Sequence, residues 1–156
     1  MKIRIVNRPD IEERALRPFK DKTALISITD ADDDFAELEY KPDFLLQIKF
    51  DDVDNDIFLD MQGNLLPESK HKTIANKYHI ITDEQAEQIA TFVKEISDKV
   101  ELLICQCEHG QSRSAATASA ITEYYNSDGI KIFASDEYFP NKIVYRKIYE
   151  ALSKEV

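Results

Sequence analysis

The chain has 156 residues, enough for one domain with one sizeable core, and 1–156 is read as a single domain. Its composition is 43% hydrophobic and 32% charged, with three glycines and five prolines, which leaves little room for flexible linkers. A formal net charge of -10 excludes a protein that works through a broadly basic face, so neither nucleic acid nor an anionic membrane surface is expected as a partner.

Lys2 to Val6 alternates charged and apolar residues, the pattern of a half-buried strand. The run is short and is broken by Asn7-Arg-Pro9, so it does not read as a signal peptide. Thr23 to Ile28 is a second strand, ended by the acidic run Asp30 to Asp34. That run lacks the glycine and terminal glutamate of a calcium loop and reads as a solvated turn. Phe44 to Phe50 is a third strand, with Leu46, Ile48 and Phe50 on one face, and it stops at Asp51-Asp52. From Asn55 to Ile81 the residues are mixed and polar, and little regular structure is expected.

Thr82-Asp-Glu-Gln85 is a capping box, followed by Ala86, Ile89, Ala90, Val93 and Ile96 at helical spacing. Val100 to Cys105 is a short apolar run, as in a strand buried on both faces. Ala115 to Tyr125 has the alanine content of a tightly packed helix that ends near Asn126-Ser-Asp-Gly129. Pro140-Asn141 opens a last amphipathic helix carrying Ile143, Val144, Ile148 and Leu152. Strands separated by helices imply an α/β fold with a mostly parallel central sheet flanked by helices. In such sheets ligands bind at the carboxyl ends of the strands.

Cys107-Glu-His-Gly110-Gln-Ser-Arg113-Ser114 sits at one such end. A helix N-terminus and a nearby arginine favour a thiolate, and Cys107 has both. The N–H groups of Glu108, His109, Gly110, Gln111, Ser112 and Arg113 can turn inward around an anion. Gly110 permits a backbone conformation costly to other residues. The Arg113 guanidinium can hold two oxygens of a phosphate at once. Ser114 can donate to the Cys107 sulfur and steady it as a leaving group. The chemistry is cysteine-dependent hydrolysis of phosphate monoesters.

This stretch resembles the signature loop of protein tyrosine and dual-specificity phosphatases, and the order strand, loop, alanine-rich helix is similar too. The small prokaryotic and phage-type members are the nearest likeness, because they also pair a Phe-Asp-Asp strand end with a late Pro-Asn helix. The resemblance implies a phosphatase-like fold and a phosphocysteine intermediate on Cys107. It implies Arg113 as phosphate ligand, and an aspartate that first protonates the leaving oxygen and then activates water. Alternation along the strand selects Asp52 for that role, because it continues the Phe50 face. Asp51 and Asp54 remain candidates, as does Glu68 in the long segment. The implied substrates are phosphotyrosine, with phosphoserine or phosphothreonine, on proteins or peptides. No cofactor or metal is called for. Three features depart from the family pattern. Gln106 replaces the usual histidine before the nucleophile, the Asn55–Ile81 segment is long, and 126–140 is short for the extra helix of larger relatives.

Two other readings stand beside this one, the first of a different class and the second within enzymes. One is a pseudophosphatase that binds a phosphorylated partner without turnover. The other is a small-molecule phosphatase acting on an inositol phosphate or nucleotide, which the acidic composition disfavours. Cys105, inside an apolar run, is read as core. With Cys107 and His109 it alternates, but a structural zinc site wants a fourth ligand and wider spacing, and His71 and His79 read as solvated. Two cysteines one residue apart form no disulfide framework, which suits a reducing, cytoplasmic setting. Tyr124, Tyr125, Tyr138 and Phe139 are read as packing residues.

Overall fold

The computed structural model describes residues 1–154, so the last two positions of the expected domain lie outside the described residues. Four strands, β1 (Lys2–Val6), β2 (Thr23–Thr29), β3 (Phe44–Lys49) and β4 (Leu102–Gln106), form one sheet in the order β1-β4-β2-β3. Every pairing is parallel. Parallel neighbours require crossovers, and the chain supplies them with helices. These are α1 (Arg8–Arg14), α2 (His71–Lys77), α3 (Asp83–Ile96), α4 (Arg113–Asn126), a single turn α5 (Ile130–Phe133) and α6 (Lys142–Ser153).

The two central strands are buried on both faces, as their apolar runs require. Ala24, Ile26 and Ile28 of β2 and Leu103 and Cys105 of β4 face the main core with α3, α4 and α6. Leu25 and Ile104 face a smaller cluster with Ile11 of α1 and Ala36. The alternation that sends Leu103 and Cys105 to the main core also sends Cys107 there. The α4 helix is buried along its first nine residues, Arg113 to Ile121. Its alanines let it lie close against the sheet and α6.

The capping box forms as expected: Thr82 Oγ1 accepts from Gln85 N at 3.1 Å, and Gln85 Oε1 accepts from Thr82 N at 3.0 Å. One local expectation changes, that for 55–81, and three local details are new. A helix, α1, follows β1 directly, because Asn7 Oδ1 accepts from Asp10 N at 2.8 Å and Pro9 suits a first turn. The Asn55–Ile81 segment is more regular than expected. It holds two 3-10 turns, Asn55–Phe58 and Glu68–Lys70, and α2. Ile57, Phe58 and Ala75 pack against the main core, which orders this stretch despite its polar composition. The helix α4 ends within the expected Asn126–Gly129 stretch, and its left-handed residue is Ser127 (φ 54°). Gly129 is needed for space instead, since a Cβ there would lie 2.5 Å from Ser119 O. At α6 the cap is Asn141, whose Oδ1 accepts from Val144 N at 3.1 Å, while Pro140 precedes it.

Candidate active site

The last residue of β4 is Gln106, and Cys107 follows at the carboxyl edge of the sheet, 2% exposed. Gln106 is buried. Its Oε1 accepts from the Ser27 hydroxyl of β2, and its Nε2 donates to Cys107 O at 3.1 Å. Gln106 thus ties the cysteine's main chain to the neighbouring strand. Cys105, one turn of the pleat behind, is fully buried, and burial pushes its thiol well up, with the Cys107 charge adding to the effect. It stays a protonated core residue.

From Cys107 the chain curls through Glu108–Ser112 into α4. Gly110 takes φ +68°. A Cβ there would sit 2.8 Å from Asn7 N and 2.9 Å from Val6 C, so the loop can close against the end of β1 only with glycine. Arg8 clamps the same side. Its main-chain N–H donates to Glu108 O at 3.1 Å, and its guanidinium lies within 3.7 Å of the Glu108 carboxylate and 3.5 Å of Asp33. Among the described residues, no main-chain N–H from Glu108 to Arg113 has a carbonyl partner. Ser112 does not cap α4 with its side chain either. The positive end of a 14-residue helix and a ring of free donors therefore surround the cysteine.

Arg113 is 3% exposed. Its Nη1 donates to Phe50 O at 2.8 Å and contacts Asp30 Oδ1 at 2.7 Å, while its buried Nε has no partner. One edge of the fork is thus anchored and the other is left for a ligand. Ser114 Oγ lies 3.0 Å from Cys107 Sγ.

The strand-end aspartates separate clearly. Asp52 Oδ1 accepts from Ser112 Oγ at 2.7 Å and from Asn141 Nδ2 at 2.9 Å, so it hangs over the loop. Phe50 is buried, and Asp52 continues its face, as alternation requires. Asp51 turns the other way, accepting from Ala31 N at 2.9 Å and lying 4.0 Å from His79 Nδ1. Asp54 caps the first 3-10 turn through Asn55 N, although it also borders the cysteine hollow. Glu68 sits in the second 3-10 turn and does not line that hollow.

The hollow is about 320 Å³ and is bounded by Asp52, Asp54, Cys107, His109, Gln111, Ser112, Arg113 and Phe139. Phe139 is 70% exposed and stands at its mouth, which corrects its expected role as a packing residue. Beside it, a second hollow of about 450 Å³ is lined by Asp30, Asp32, Asp51, Asp52, Glu108, His109 and Arg113. A larger apolar hollow of about 850 Å³, between the 55–81 segment and α6, borders none of the loop residues. Sequence reasoning missed Arg8, Asp30 and Asn141 as parts of the site. Asn141 carries a signal, the Pro-Asn pair, which marks the helix start it does form but not its contact with Asp52; Arg8 and Asp30 carry none beyond their charge.

No protein-family model matches the chain, and no curated protein matches it. Solved structures do. The active form of Tk-PTP aligns over 99% of this chain and 94% of its own, at 14% identity and a TM-score of 0.50. PTPMT1 in complex with PI(5)P aligns over 96% of this chain and 89% of its own, at 9% identity and a TM-score of 0.51. The chain is thus similar in fold to protein tyrosine phosphatase structures: a four-stranded parallel sheet flanked by helices, with Cys107 at the carboxyl end of a central strand.

Proposed function

We propose that this protein hydrolyses phosphate monoesters through a phosphocysteine intermediate, with phosphotyrosine on proteins or peptides as its substrate and phosphoserine or phosphothreonine as further ones. One observation carries the reading. The Cys107 sulfur lies at the base of a hollow bounded by Arg113, by free loop N–H groups and by the Asp52 carboxylate.

The phosphoryl group sits in the ring of N–H donors, with two oxygens on the free edge of Arg113. The Cys107 thiolate attacks phosphorus, an S–P bond forms and the P–O bond to the leaving group breaks. Asp52 gives that oxygen its proton. Ser112 and Asn141 both hold Oδ1, which leaves Oδ2 to carry the proton. In the second step Asp52, now ionised, takes a proton from water as the water attacks phosphorus. The S–P bond breaks, inorganic phosphate leaves, and the Ser114 hydroxyl stabilises the departing thiolate across 3.0 Å.

A phosphoinositide substrate is the second reading, favoured by the fold neighbour solved with PI(5)P. Against it stand Asp30, Asp32, Asp51, Asp52 and Glu108 beside the phosphate hollow, which repel a polyanionic headgroup. A phosphoprotein, single-phosphate at the site, suits this wall better.

The test is phosphate release from 4-nitrophenyl phosphate across pH by wild type, Cys107→Ser and Asp52→Asn. Cys107→Ser abolishes turnover. Asp52→Asn lowers kcat by about 10²–10⁴-fold and removes the high-pH limb of the profile, where the acid would lose its proton. Absence of wild-type turnover with vanadate still bound would instead mark a phosphate-binding pseudophosphatase.

A further inference from the structure

Arg8 lines neither hollow at the carboxyl edge of the sheet, yet it meets the Cys107 loop twice. Its main-chain N–H donates to Glu108 O at 3.1 Å, and its Nη1 lies 3.7 Å from Glu108 Oε2. The rest of the guanidinium is fixed from other sides. Nη2 donates to Phe35 O at 3.1 Å, and Nε lies 3.5 Å from Glu12 Oε2. Nη1 is buried and has no hydrogen-bond partner among the described residues. It therefore acts through charge, on Glu108 and on Asp33 Oδ2 at 3.5 Å. The side chain is only 16% exposed, which weakens screening by water. Of the three carboxylates around Arg8, Glu108 is the one that also lines the hollow holding Arg113; Glu12 and Asp33 do not.

We infer that Arg8 is a positioning residue for the phosphate: it draws the Glu108 carboxylate back from the anion hollow and cancels its charge there. This rests on the phosphatase reading for the ligand, a phosphate dianion held by Arg113 and the loop N–H groups. Glu108 follows the nucleophile directly, so its side chain starts beside that ring of donors. Left free, the carboxylate repels the dianion, or turns in and takes donors that phosphate oxygens need. One uncancelled charge within roughly 10 Å of a dianion changes its affinity by about 3–30-fold in a partly desolvated hollow. Bound substrate and transition state carry the same total charge, so the loss falls on KM and not on kcat.

KM and kcat for 4-nitrophenyl phosphate, and the inhibition constant of vanadate, test this. The variants are Arg8→Met, Glu108→Gln, Arg8→Met with Glu108→Gln, and Arg8→Met with Glu12→Gln. Arg8→Met raises KM and the vanadate constant by about 3–30-fold, less at high salt, with kcat little changed. Adding Glu108→Gln restores both constants, because no net charge is left at that wall. Adding Glu12→Gln restores neither, because Glu12 lies off the hollow. A merely structural Arg8 would leave both double variants as impaired as Arg8→Met, and that result overturns the proposal. Glu108→Gln alone keeps Arg8 and covers the case in which Arg8→Met does not fold. It should bind vanadate several-fold more tightly than wild type, and unchanged or weaker binding overturns the proposal too. If wild type shows no turnover, calorimetry with vanadate reads the same series. The same pattern there upholds Arg8 while the catalytic reading fails, and failure of wild type to bind vanadate overturns both.

Discussion

Asn141 Nδ2 donates to Asp52 Oδ1 across 2.9 Å, joining the cap of the last helix to a carboxylate 89 residues earlier in the chain. The same amide also donates to Val53 O at 3.0 Å, and its oxygen caps α6. One side chain therefore holds the 52–53 loop and starts a helix. Asn141→Asp separates these roles, because a carboxylate still caps but no longer donates, and it adds a like charge beside Asp52. That variant keeps the cap but should lose about 1–3 kcal/mol of stability, because the Val53 carbonyl loses its donor and a carboxylate is buried beside Asp52; its high-pH activity limb moves up by about one pH unit, since a like charge favours the protonated acid. Asn141→Ala should lose about 1 kcal/mol of stability with the cap, and about 10-fold in kcat. Unmoved pH profiles for both variants would sink the coupling.

Asp30 is the charge partner of an arginine that is otherwise buried. Asp30→Ala leaves the Arg113 guanidinium with the Phe50 carbonyl alone, at a cost of about 1–3 kcal/mol. Phosphate or vanadate then supplies the missing negative charge. The variant should melt lower than wild type without anion, and adding phosphate should raise its melting temperature by more than it raises that of wild type. Equal anion effects in the two proteins would show that Asp30 does not hold the arginine.

Gly110→Ala forces a side chain into 2.8–2.9 Å contact with main-chain atoms of Val6 and Asn7, at a left-handed φ. Either the loop shifts or β1 does. The expected cost is about 1–3 kcal/mol, with turnover falling more steeply than stability because the donor ring is distorted. Denaturant melts beside kcat measurements distinguish the two effects.

Gln106 serves both Ser27 and the Cys107 carbonyl inside the core. Gln106→Leu preserves approximate bulk but leaves a buried hydroxyl without its acceptor, so stability should drop by about 1–3 kcal/mol. Adding Ser27→Ala in the same chain should recover part of that loss, because both halves of the pair are then apolar. A double-mutant cycle reads the coupling directly.

Asp83, in the first turn of α3, is held below the usual carboxylate range by its hydrogen bond from Lys147 Nζ at 2.7 Å and by that ammonium's charge. A lowered folded value means the stabilisation is fully present above the ordinary carboxylate pKa and is lost as pH falls through the lowered one. Asp83 is largely exposed, so Asp83→Asn should cost only about 0.5 kcal/mol at neutral pH. The difference in melting temperature between variant and wild type should vanish in acid.

The legible parts of this protein are those that one stretch of chain specifies alone. The Cys107–Ser114 loop, the Thr82 capping box and the apolar strands rest on local spacing, because N–H donors, caps and pleats involve near neighbours. The alternation from Phe50 to Asp52 reached one step further, since a strand carries its direction beyond its last hydrogen bond. What only the tertiary structure decided are relations between distant segments. These are Arg113 shared with Asp30 and Phe50, Asp52 held by Asn141, Gln106 paired with Ser27, and Phe139 set at the mouth of the hollow. No local propensity encodes them. A charged or aromatic residue in a polar stretch looks the same whether it meets water or the Cys107 loop, and sheet order together with helix packing settles which it meets. The ordered 55–81 segment follows the same logic, because Ile57, Phe58 and Ala75 become core residues only once the sheet and α6 give them a surface to cover.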